Sequence, residues 1–134
     1  MTLVATKNIE IVKESMQRCL RKPDFMDKFY DEFLKSAEVQ EKFKNTNMTM
    51  QKVILKSSLH LMLATAKGTP GAAMDKLALS HDRGHKAIPA HLYKVWLEAM
   101  LYAVKVTDPE YTPELDGVWR EVMLPGVEFM SGKY

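Results

Sequence analysis

Three side chains in this sequence stand where their chemistry differs from that of their neighbours. His81 closes an apolar face made by Met74, Leu77 and Ala78. An imidazole in such a place is either a core histidine satisfied by one hydrogen bond or a neutral nitrogen ligand for a metal. Taken alone, the spacing favours the first. Tyr30 falls in an apolar stripe with Met26, Phe29 and Phe33; its phenol is either a core aromatic with the hydroxyl at the surface or a buried donor. Gln51 heads the face Gln51, Leu55, Leu59, Met62 and Ala66, and its carboxamide is either solvated or a second donor.

The elements that must position these groups are helical. Apolar residues recur at spacings of three and four between breakers, and no convincing period-two run is present. Ile9, Val12, Met16 and Cys19 form the first stripe, the Tyr30 stripe follows Pro23, and Val39 with Phe43 marks a short third element. A helix is expected from about Met48 to Lys67, stopped at Gly68. The His81 segment ends near Gly84, and Pro89 opens a long helix through Leu92, Trp96, Ala99, Met100 and Ala103. Thr112-Pro113-Glu114 is a start signal: a capping hydroxyl, a first-turn proline and an acid near the positive helix end. Leu115, Val118, Trp119 and Val122 continue that helix until Pro125-Gly126, which is expected to kink or end it. The expected architecture is all-α, a single domain over residues 1–134 with about seven helices and no heptad seam.

Composition narrows the function. The chain has 134 residues, 19 basic and 17 acidic, for a net charge of +2, which gives no electrostatic case for nucleic acid or an anionic membrane. It contains no apolar run of membrane-spanning length and no charged-then-apolar leader. The one cysteine, Cys19, can form no intrachain disulfide, so a cytoplasmic location is expected. Ten methionines read as flexible gap-fillers of a helical core.

Six stretches, in order, resemble the bacterial globins, both the single-domain haemoglobins and the haem domains of flavohaemoglobins and globin-coupled sensors. Phe29-Tyr30-Asp31-Glu32-Phe33 resembles their second helix, and Glu41-Lys42-Phe43 the corner whose phenylalanine stacks on haem. Gln51-Lys52-Val53-Ile54-Leu55 resembles the distal helix, and Leu77-Ala78-Leu79-Ser80-His81 the proximal helix with its iron ligand. Ile88-Pro89-Ala90-His91-Leu92-Tyr93 and Val118-Trp119-Arg120 resemble the start of the next helix and the last helix. The likeness runs from about residue 9 to 130.

The resemblance implies one haem b, its iron held by His81. Phe43, Leu55, Leu77, Ile88, Leu92 and Trp96 would contact the porphyrin, with Val122 also on the proximal side and floor. His85 would reach a propionate or stand at the surface. His60 lies nine residues beyond Gln51, on roughly the opposite face of a helix turning about 100° per residue, and His91 is expected at the surface. Tyr30 and Gln51 would donate to a bound diatomic gas (O2, NO or CO), each bond contributing on the order of 1–3 kcal/mol. A one-residue shift of register would put Lys52 in place of Gln51; otherwise Lys52 and Lys56 form a charged outer face. No acidic residue matches the one that flavohaemoglobins direct at the proximal histidine, since Glu128 follows Pro125-Gly126.

The expected function is reversible binding of oxygen. The same donor pair suits a nitric oxide dioxygenase, which would need a separate reductase because the chain has no room for a flavin domain. A gas sensor would need a partner protein for output, and a haem-free helical interaction module is the bland alternative.

Overall fold

A computed structural model describes residues 5–68 and 89–131. The expected positions Leu77, His81, His85 and Ile88, with the rest of the His81 segment, lie outside them. Among the described residues there are six helices and no strand: α1 (Thr6–Leu20), α2 (Phe25–Phe33), α3 (Ala37–Phe43), α4 (Met48–Ala66), α5 (Ala90–Thr107) and α6 (Pro113–Ser131). The all-helical expectation holds. No helix among them is long and apolar enough to cross a membrane.

Local chemistry explains the boundaries. Ser36 and Asn47 cap α3 and α4 by accepting from the amides of Val39 (3.3 Å) and Met50 (3.1 Å), and Thr112 accepts from Leu115 N (3.2 Å) at the start of α6. Each such cap is worth about 1 kcal/mol. Beyond the end of α4, Gly68 turns with φ 89°, a left-handed conformation that glycine adopts without a Cβ penalty.

The apolar stripes then face inward. Ile9, Val12, Met16 and Cys19 are buried on α1, as are Phe25, Phe29, Tyr30 and Phe33 on α2. Helix α2 packs chiefly on α5, α4 on α6, and α6 also on α1 and α5. This cross-bracing leaves a gap between α2 and the first turns of α4.

Of the two outcomes expected at Pro125-Gly126, a kink or an end, helix α6 excludes the end. It continues through Pro125 to Ser131 instead of ending there. Proline removes one helical hydrogen bond and strains the preceding turn, but α6 is anchored on both sides of it by buried Val122 and Met123 before and Met130 after. Gly126 supplies the close approach to α4: a Cβ there would stand 1.9 Å from Met62 Sδ and 3.1 Å from its Cε. Gly126→Ala is expected to change stability by no more than about 1 kcal/mol, because the clash is with the flexible end of Met62 and alanine gains about 1 kcal/mol of helix propensity over glycine, read as a small shift of the urea midpoint.

A buried polar network absent from the sequence reading ties α1 to the α5–α6 corner. Trp119 Nε1 donates to Ser15 Oγ (2.9 Å), which donates to Asp108 Oδ2 (2.6 Å). Arg18 grips the same carboxylate through Nε (2.7 Å) and Nη2 (2.9 Å), and the Glu110 amide adds a fourth donor (2.9 Å).

Candidate functional site

The gap between α2 and α4 is a cleft with about 80 Å³ of free space inside it. Helix α2 contributes Phe29, Tyr30 and Phe33, and the end of α3 contributes Phe43. Gln51, Ile54, Leu55, Ser58 and Met62 come from α4, Leu92, Tyr93 and Trp96 from α5, and Met130 from α6. The lining is aromatic and aliphatic with few polar groups, which suits a flat apolar ligand.

Phe29 is the hub of the aromatic wall. It is fully buried and meets Tyr30 edge-on at 4.8 Å between ring centroids, with Phe33 at 5.2 Å and Trp96 at 6.0 Å. Phe43, half-buried at the end of α3, reaches Phe33 at 6.0 Å. Such pairs hold ring orientations as well as burying area, so the wall keeps its shape.

Two phenols face this apolar space. Burial pushes the Tyr30 hydroxyl up to about 12, with its hydrogen bond to Gln51 pulling weakly the other way. Burial alone pushes Tyr93 to about 12. Both therefore stay protonated and able to donate across the ordinary pH range. The Tyr30 hydroxyl donates to the backbone oxygen of Gln51 at 3.3 Å, a long bond, which places the two residues side by side. Ser58 is already committed: its hydroxyl donates to the Ile54 carbonyl at 2.9 Å.

Of the residues singled out in the sequence, Tyr30, Phe43, Gln51, Leu55, Leu92 and Trp96 all line this cleft. Lys52 points elsewhere, pairing with Asp27. His60 is exposed, and His91 is exposed with Nε2 2.7 Å from Glu38 Oε1. Val122 is fully buried in the core, and Met130 is the α6 residue that reaches the cleft. Glu128 is exposed.

Phe33, Ile54, Ser58, Tyr93 and Met130 also line the cleft, without a site role expected from the sequence. Tyr93 carried a signal, since it follows Leu92 in the opening turn of a helix expected to line a pocket. Met130 carried none, because it lies beyond Pro125-Gly126, where a kink or an end of α6 left its direction open.

No protein-family model and no curated protein matches the chain. Among solved structures it is similar to protein PA3967 from Pseudomonas aeruginosa PAO1, described as structurally highly homologous to a human hemoglobin. The two are 33% identical, with a TM-score of 0.90, over 95% of this chain and 98% of the other.

Proposed function

This chain belongs to the bacterial single-domain globins, and we propose on that premise that it holds haem b in the cleft and reversibly binds a diatomic gas, with O2 as the principal ligand and NO and CO as others. The observation that carries the reading is the apolar cleft with Tyr30 and Gln51 adjacent on its wall. The residues present fit the group. A porphyrin is flat and greasy, and the aromatic and aliphatic side chains of α2, α4 and α5 offer it apolar faces while excluding water.

Phe43, Leu55, Leu92 and Trp96 would pack on the macrocycle together with Leu77 and Ile88, His81 would hold the iron, and His85 would meet a propionate. Bound haem would supply an iron able to take up a gas. The chain's own contribution on that side is a pair of donors. Tyr30 must give up a 3.3 Å bond to a carbonyl inside α4 to point its proton into the cleft. A bond that long contributes little, so the phenol is easily redirected. The Gln51 carboxamide beside it offers two more hydrogens.

Absorption spectra of the purified protein in its ferric, ferrous and carbonyl forms test the reading, and a colourless protein indifferent to added haemin would sink it. Tyr30→Phe is expected to speed oxygen dissociation by roughly tenfold, the effect of one donor bond of about 1.4 kcal/mol, in stopped-flow measurements. An unchanged rate would show that Tyr30 does not serve the gas.

A further inference from the structure

We propose that Asp27 and Lys52 form an outer clasp that holds the first turns of α4 against α2 and so keeps Tyr30 bonded to Gln51. The Lys52 ammonium contacts the Asp27 carboxylate across 25 residues of chain. Asp27 precedes Tyr30 by three residues on α2, and Lys52 directly follows Gln51 on α4. Residues three apart share a helix face. The ion pair and the Tyr30–Gln51 hydrogen bond are therefore successive cross-links between the same two helices, one at the surface and one inside.

Among the described residues, little else secures that end of α4 besides Met48, partly buried against the core. Helix α2 packs mainly on α5 and α4 mainly on α6. Leu55 is the first buried residue of α4, while Met50, Val53 and Ile54 are exposed. A helix end with so little buried apolar surface opens at low free energy. Gln51, Ile54 and Leu55 belong to one wall of the cleft, so movement of this end widens the cleft and releases the Tyr30 hydroxyl together. Lys52 is thus a positioning residue that acts through Gln51. That the clasp governs gas entry rests on the haem reading above.

The test compares the wild-type protein with Asp27→Asn, Lys52→Met and the reversed pair Asp27→Lys/Lys52→Asp. The first readout, amide hydrogen exchange over residues 51–55, does not depend on haem. Both single variants should exchange roughly two- to fivefold faster at low salt, the range an exposed ion pair can supply. Wild-type exchange should rise to the same level near 1 M salt, where screening shortens to about 3 Å, and the reversed pair should restore protection. Equal exchange in all proteins, or a reversed pair that restores nothing, overturns the clasp. The second readout, carbon monoxide association after photolysis, should follow the same pattern. Faster exchange with an unchanged association rate would overturn the role in gas entry. A protein that takes up no haem would defeat the functional reading, while hydrogen exchange would still decide the clasp.

Discussion

Replacing His81 by alanine is expected to abolish stable haem uptake, whereas His85→Ala should retain it. A globin's iron needs one neutral imidazole carried on a helix in surroundings dry enough to exclude competing water. Four histidines are available, and the structure places two of them at the surface. His60 is exposed on α4, and His91 is engaged with Glu38 outside the cleft. Between the remaining two, His81 shares its apolar face with Leu77 and Ala78, while His85 follows Gly84, where that face ends. Haemin titration followed at the Soret band separates them. Retained binding in His81→Ala with loss in His85→Ala would mean that the other histidine holds the iron. Circular dichroism of the haem-free variants checks that the helices persist.

The second large effect concerns stability. Asp108→Ala should lower the unfolding free energy by roughly 3 kcal/mol, or about 10 °C in Tm for a chain of this size. The carboxylate is buried and collects donors from Ser15, Arg18 and the Glu110 amide. Its removal leaves the Ser15 proton without an acceptor and the Arg18 guanidinium with only the more distant, exposed Glu110 carboxylate at 3.5 Å. The estimate sits at the low end for a broken buried pair because the Arg18 side chain is 21% exposed and can hydrate. Asp108→Asn keeps the shape and part of the bonding, so its loss should be smaller. Equal stability of Asp108→Ala and wild type would show that the network contributes nothing.

The same group sets an acid limit. Burial pushes the Asp108 carboxyl up, but hydrogen bonds from Arg18, Ser15 and the Glu110 amide outweigh it and hold the group below its ordinary value of 3.8. As pH falls, the unfolded chain therefore takes up this proton before the folded chain does. The stability supplied by Asp108 is complete above about pH 4 and is lost as pH drops through the folded value. Asp108→Ala should show a shallower loss of stability in that window.

The helical class, most boundaries and the inward faces were legible in the sequence because they depend on neighbours three and four residues apart. The stripe from Ile9 to Cys19, the cap at Thr112 and the stop at Gly68 are all local features, and local chemistry decided them. Half of the cleft was legible for the same reason, since Tyr30, Gln51 and Leu55 sit on stripes that had to turn inward. The resemblance to globins supplied the roles of those residues; periodicity alone left each of them open.

Tertiary structure decided what depends on residues far apart in the chain. Asp108 carries no signal in the local pattern, and only folding brings it to Ser15 and Arg18, some 90 residues earlier. Pro125 read as a kink or an end of the helix because its cost is local, while the packing of Val122, Met123 and Met130 that carries the helix through it is not. Of Gln51 and Lys52, Gln51 lines the cleft and Lys52 pairs with Asp27 on α2, a contact between helices that no local pattern encodes. Periodicity specifies which face of a helix is apolar. Which face a polar residue joins, and what it meets there, follows only from how the helices cross.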